Sequence, residues 1–250
     1  AYPWVRPPVE GYNVMPVTSS DGIDATLRWG VGPVRNASQV FYGHSALSLI
    51  EALHVYGRRG MGISNTSDWG ALSVRANVVS AEISSDIGAD LFRAFDAFGP
   101  VGQDLTRRYE MDHKRMTLAN IGVNYDPGSW FVMAEAGRTV SHSFLGATRS
   151  AYVSAGWRWH AFTPYATYAR VRAAGATTDP GLPVAALPPA LAPTAAALNG
   201  GLNFLLWTMP QQTSQAVGVR WDLRANMALK LQYDRVTPLE GSRGTFINPT

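Results

Sequence analysis

Thr117-Leu-Ala-Asn-Ile-Gly-Val-Asn-Tyr125, then Asp126-Pro-Gly-Ser129, then Trp130-Phe-Val-Met-Ala-Glu-Ala136 is the stretch that decides the fold. Thr117, Ala119, Ile121, Val123 and Tyr125 alternate with Leu118, Asn120, Gly122 and Asn124. That period of two belongs to a strand, whose successive side chains point to opposite faces. Pro and Gly after Asp126 supply the backbone angles of a tight turn. Beyond the turn Trp130, Val132, Ala134 and Ala136 share one face, and Glu135 lies on the other. The unit is a β-hairpin with one apolar and one wet face.

The same pattern extends in both directions. Toward the N-terminus, Ile23, Ala25, Leu27 and Trp29 alternate with Asp24, Thr26 and Arg28, and the apolar members of Leu72–Val78 alternate with Ser73, Arg75 and Asn77. Toward the C-terminus, Val153, Ala155, Trp157 and Trp159 oppose Tyr152, Ser154, Gly156, Arg158 and His160. Tyr165, Thr167, Ala169 and Val171 oppose Tyr168, Arg170 and Arg172. Val217, Val219, Trp221 and Leu223 oppose Arg220 and Asp222, and Leu229, Leu231 and Tyr233 oppose Lys230 and Asp234. With weaker strands at 11–17 and 37–46, the pattern predicts about ten strands. The links at 126–129, 161–164 and 224–226 are tight, whereas 47–69, 81–115, 140–149 and 173–211 read as long connections. Short turns at one end and long loops at the other mark an up-and-down transmembrane β-barrel. The fold class is therefore all-β and antiparallel, with residues 1–250 forming a single barrel domain.

Composition agrees. In 250 residues, charged side chains make up 16% and aromatic ones 11%, and the mean hydropathy is −0.07. Disorder needs more charge and fewer aromatics, and a helical membrane protein needs apolar runs of about 20 residues. Cysteine is absent, which excludes disulfides, thiolate metal sites and a Cys nucleophile and suits an exported Gram-negative protein. The net charge of +3 comes from scattered arginines with only Lys114 and Lys230 as lysines, so nucleic acid is not an expected partner.

The apolar face carries Trp29, Tyr125, Trp130, Trp157, Trp159, Tyr165, Trp221 and Tyr233. These are the expected members of an aromatic girdle at the lipid headgroups, where indole and phenol rings settle. A soluble β-sandwich would bury the same face, but such a core seldom needs so many tryptophans at strand ends. The opposite face predicts a water-filled wall lined by Arg28, Arg75, Glu135, Arg158, Arg170, Arg172, Arg220, Asp222, Lys230 and Asp234. Its excess of cations predicts a slight anion preference.

Within 81–115, Ile87, Leu91, Phe95 and Phe98 stand at helical spacing, and Asp86, Asp90 and Asp96 dominate the polar side. Such a segment either narrows the lumen as a constriction loop or lies solvated on the surface. Residues 180–210 hold no charge and include Pro183, Pro188, Pro189 and Pro193; the prolines argue against a membrane helix and for an Ala/Pro-rich surface loop or subunit contact. Gly-x-Ser-x-Gly, phosphate-loop and His-Glu-x-x-His motifs are absent, and the five histidines lack metal-ligand spacing. No catalytic residue, cofactor or metal is therefore expected.

Tyr2-Pro-Trp-Val-Arg-Pro-Pro8, Val217-Gly-Val-Arg-Trp-Asp222 and Ala228-Leu-Lys-Leu-Gln-Tyr-Asp-Arg235, with Tyr125-Asp126 before Trp130 and Glu135, resemble proteobacterial outer-membrane porin-like proteins. The resemblance implies a barrel of about sixteen strands, a homotrimer in outer-membrane lipid, and passive passage of small hydrophilic solutes and ions. Against that pattern, early N-terminal strands and a terminal strand ending in an aromatic residue are missing, so the chain reads as an incomplete one. A barrel with an enzyme or adhesin role, or a soluble β-rich binding protein, are the alternatives.

Overall fold

In the computed structural model, residues 3–12, 21–50, 53–239 and 241–245 are described. Among the described residues ten strands form one antiparallel sheet whose spatial order equals its chain order. They are β1 (Asp21–Val31), β2 (Val34–Ile50), β3 (Leu53–Trp69), β4 (Leu72–Ser85), β5 (Lys114–Tyr125), β6 (Trp130–Ser141), β7 (Ala147–Trp157), β8 (Phe162–Ala173), β9 (Gln212–Arg224) and β10 (Met227–Pro238). Among the described residues β1 pairs only with β2 and β10 only with β9, so the sheet is an arc with two open edges. Three longer helices complete it: α2 (Ala89–Asp96), α3 (Pro100–Tyr109) and α4 (Ala192–Trp207), besides the single turn α1 (Val9–Tyr12). None of them is long and apolar enough to cross a membrane.

Register carries the alternation from strand to strand. Leu72 pairs with Tyr125, Tyr125 with Val132, Trp130 with Trp157, and Phe162 with Trp221. These residues lie on the outer face, beside the short turns. Tyr125 and Trp130 are 5.3 Å apart between ring centroids, and Phe162 and Trp221 stack at 5.4 Å. Above this row the outer face is apolar and exposed, with Ile121, Val123, Val153, Val217, Leu229 and Leu231. On the inner face Phe41, Phe131 and Tyr165 stand directly opposite Gly62, Gly156 and Gly218. A Cβ on any of these glycines would come within 2.4 Å of the facing ring, so each ring lies flat over a backbone stripped of its side chain.

Several expectations change. Residues 47–69 are not a long loop: β2 and β3 run through 34–50 and 53–69. The strand expected at 11–17 is replaced at its start by α1, and 13–20 lie outside the described residues. The 81–115 connection is shorter, because β4 continues to Ser85 and β5 starts at Lys114, with a helical hairpin of α2 and α3 between them. The 173–211 connection contains α4, whose Pro193 stands in the first turn, where its missing N–H costs no helix hydrogen bond.

Phe92 and Phe95 of α2, Leu105 of α3, and Leu202 and Leu206 of α4 share one buried core with Ile83 and Met116. Ile83 and Met116 lie on the inner face of β4 and β5, so the helices fold over the inner face at the long-loop end. Asp179 ties this cap down: Tyr109 Oη donates to its carboxylate at 2.6 Å and Arg108 at 3.3 Å. Burial alone would push the Asp179 carboxyl up; the Tyr109 hydroxyl, the Gly181 amide and Arg108 outweigh it and hold the carboxyl below its ordinary range.

Candidate functional site

The inner face of the sheet is the site, and a segment of the chain itself occupies part of it. Residues 3–12 run across the inner sides of β6 to β10. Trp4 is 5% exposed, and its indole N–H is shared between Ser154 Oγ and Thr167 Oγ1, each at 3.2 Å. The Trp4 ring meets Tyr152 edge-on at 5.9 Å. Lys230 Nζ donates to the Trp4 carbonyl at 2.9 Å, and Gln232 Oε1 accepts from the Val5 amide at 2.9 Å. Farther along, Glu10 is 1% exposed and accepts from Gln212 Nε2 at 2.7 Å. No signal in the sequence pointed to this strap, because its partners lie as many as 227 residues away.

Register places Arg28, Arg75, Glu135, Arg220, Asp222, Lys230 and Asp234 on the inner face. Arg75, Gly122, Glu135 and Tyr152 form one continuous row. Arg220 and Lys230 stand opposite one another, and Asp222 accepts from Arg220 Nε at 2.8 Å and from its terminal nitrogen at 2.6 Å. Asp234 accepts from Gln232 Nε2 at 2.9 Å.

Four residues depart from their expected places. Tyr165 belongs to the inner face and not to the girdle: it is buried and its hydroxyl donates to Gln232 Oε1 at 2.7 Å. β8 is therefore turned over relative to the expected phase, and Arg170 and Arg172 point outward, opposite Ala151 and Arg149. The strap is the physical reason. Trp4 and α1 cover Thr167 and Ala169, giving an inner side of modest polarity a core to join. Arg158 belongs to the turn after β7, not to the wall. Its guanidinium grips Asp126 of the neighbouring turn through two bonds, at 2.6 and 2.7 Å, and also donates to the Gly128 carbonyl. The hydrogen bonds from Arg158 hold the Asp126 carboxyl below its usual range and raise the Arg158 pKa in return.

Of the remaining aromatics, Trp29, Tyr125, Trp130, Trp157 and Trp221 keep the outer face at the short-turn end, and Trp159 projects from the turn beside them. Tyr233, opposite Val217, is outward but higher. Trp69, next to the β3–β4 turn, is a further member that a reading of 47–69 as loop concealed. On the helical hairpin, Asp90 pairs with Arg93, and Asp86 and Asp96 line one open recess with Arg93 and Glu110. Among the described residues none of the three acids pairs with a wall arginine, and no group of His, Asp or Glu could share a metal ion.

No family model and no curated protein matches this chain. Solved structures do. OmpF of Salmonella typhi, in a complex with daunomycin, aligns at a TM-score of 0.52 and 12% identity over 84% of this chain and 53% of OmpF. The outer-membrane channel DcaP of Acinetobacter baumannii aligns at 0.50 and 9% identity over 89% of this chain and 59% of DcaP. The fold is thus that of the outer-membrane porins, and the chain spans little more than half the length of the structures it matches.

Proposed function

We propose that this chain forms part of a bacterial outer-membrane channel that passes small hydrophilic solutes and ions by diffusion, without catalysis. One observation carries the reading: an exposed apolar belt, edged by a row of tryptophans, backs directly onto an inner face that holds charged side chains. Lipid suits the first and water the second. The helical cap and the strap both lie on the wet side, where they narrow the passage; the constriction expected of the 81–115 segment is assigned to this α2–α3 hairpin.

The turning of β8 weakens the support for the slight anion preference expected from the arginine count. With Arg170 and Arg172 outside, Arg158 held by Asp126, Lys114 held by Glu110 of the cap and Arg224 at the β9–β10 turn, the inner strands offer Arg28, Arg35, Arg75, Arg220 and Lys230 against Asp24, Asp68, Glu135, Asp222 and Asp234. A wall so balanced supports weak selectivity. For the homotrimer, support comes from an outward polar ladder on β1–β3. Trp29 Nε1 donates to Ser38, Ser38 to Asn65, Asn65 to Ser67, and Ser67 to Asn36. Hydrocarbon disfavours such a surface, and a second chain does not.

The test is reconstitution of the chain into planar bilayers. Stepwise conductance with a reversal potential near zero in a salt gradient is expected. Absence of steps would refute the channel, and strong selectivity of either sign would refute the balanced wall.

A further inference from the structure

The outer face of β6, β7 and β8 carries three arginines side by side. Arg138 pairs in register with Arg149, and Arg149 with Arg172. Arg170 stands two residues below Arg172 on the same face, and its Nε is buried without a protein partner. Directly opposed side chains in an antiparallel sheet lie about 5 Å apart at Cβ, where like charges repel. The usual remedy, an interleaved carboxylate, is missing. Every acid on β5 to β10, namely Glu135, Asp222 and Asp234, lies on the inner face. Among the described residues none of the four arginines makes an ion pair.

Height along the barrel identifies what is missing. Trp157 and Arg149 lie on the same face of β7, eight residues apart. At about 3.3 Å per residue and a strand tilt of about 40°, that is roughly 20 Å along the membrane normal. An apolar belt is about 25 Å tall, so the arginine row marks its upper rim just as the tryptophans mark its lower one. Between the rows the same strands show Val132, Ala134, Ala136, Val153, Ala155 and Ala166, so this sector of the outer face is the lipid-facing one. The polar ladder suited to a second chain lies elsewhere, on β1–β3.

We propose that Arg138, Arg149, Arg172 and Arg170 form a binding site for the phosphate groups of outer-leaflet glycolipid. A phosphate accepts two parallel hydrogen bonds from one guanidinium, and one placed between adjacent arginines turns their mutual repulsion into shared attraction. Arg170, lower on the strand, reaches the same level by extending its side chain upward. This site rests on the membrane reading above.

The full chain is folded into vesicles of phosphatidylcholine alone, of phosphatidylcholine with diphosphorylated lipid A, and of phosphatidylcholine with lipid A stripped of its phosphates. Lipid retained per chain is measured after detergent extraction. The parent is expected to retain diphosphorylated lipid A and not the stripped form. The triple variant Arg138→Gln, Arg149→Gln, Arg172→Gln is expected to retain at least about tenfold less, since each charge-assisted bond contributes well over a factor of ten. Arg149→Gln alone should give part of that drop, and Arg93→Gln on α2 none. In an uncharged detergent the triple variant should melt no lower than the parent, because its repulsion is gone. Equal retention by parent and variants, or retention of the stripped lipid, would overturn the site. So would displacement by inorganic phosphate alone, which would assign a free anion, or loss of oligomers without loss of lipid, which would assign a second chain. Failure of the parent to enter plain phosphatidylcholine would count against the membrane reading itself.

Discussion

Trp4→Ala should release the luminal strap while leaving the sheet intact. The indole is nearly enclosed by Phe131, Tyr152, Tyr165 and Ala169. Burying a side chain of about 200 Å² at about 25 cal/mol per Å² contributes at most roughly 5 kcal/mol, and Trp→Ala losses of about 3–5 kcal/mol are usual. The lost N–H bonds add little: Ser154 and Thr167 still bond each other at 2.8 Å. Against this contribution stands the ordering of the strap backbone, at about 1–2 kcal/mol per residue, so without Trp4 too little remains to hold the segment down. Amide hydrogen exchange is the assay. Residues 3–11 should lose protection by at least about tenfold, whereas β7 and β8, whose ladder hydrogen bonds do not involve the strap, should keep theirs. Unchanged protection of residues 3–11 would refute the reasoning, and so would simultaneous loss across β7 and β8, which would make the strap part of the sheet's own core.

Trp157→Arg, at a site 57% exposed on the outer face, should weaken membrane insertion by about 1–4 kcal/mol according to depth, read from folding titrations in vesicles. Ser154→Arg, although inward, should also be costly, because Ser154 is 0% exposed beneath Trp4; a harmless Ser154→Arg would place the strap elsewhere. Gly218→Ala should cost about 1–3 kcal/mol, read as a lower melting temperature, because the added methyl meets the Tyr165 ring; no change would show that the ring does not lie on the glycine. Arg158→Gln should cost about 1 kcal/mol near neutral pH, the pair being a third or more exposed. Since Arg158 lowers the Asp126 pKa in the folded state, the contribution is full above the ordinary carboxylate pKa of about 4 and fades as the pH falls through the depressed value. Parent and variant should therefore melt together in strong acid, and a gap that persists there would refute the ion pair.

The strands legible in the sequence were those with an unbroken alternation whose two faces differ in kind. β7, with Val153, Ala155 and Trp157 against Tyr152 and Ser154, is one; β9 is another. β3 escaped because its outer face carries Asn65 and Ser67, and because Arg58-Arg59-Gly60 interrupts it where the pairing with β4 shifts register. β8 shows the limit of alternation most clearly. Tyr165, Thr167, Ala169 and Val171 form the more apolar set, which alternation alone assigns to the lipid. Inside, however, they meet Trp4 and Phe131, partners distant in sequence that no local period encodes. α4 was readable in part: a proline near the start of a sixteen-residue run free of charge marks a helix beginning rather than a broken one.

A sheet ordered β1 through β10 also implies a sequence of events during folding. Among the described residues each strand pairs only with its neighbours in the chain, so hairpins can close locally and zip along the arc, with short loops to close at each tight turn. The strap is the exception, since its contacts with Ser154, Thr167, Gln212 and Gln232 span from 150 to 227 residues. It has nothing to bind until β7 to β10 stand side by side. Thus residues 3–12 are the last to settle, and an unseated strap would mark a sheet whose strands are paired but newly made.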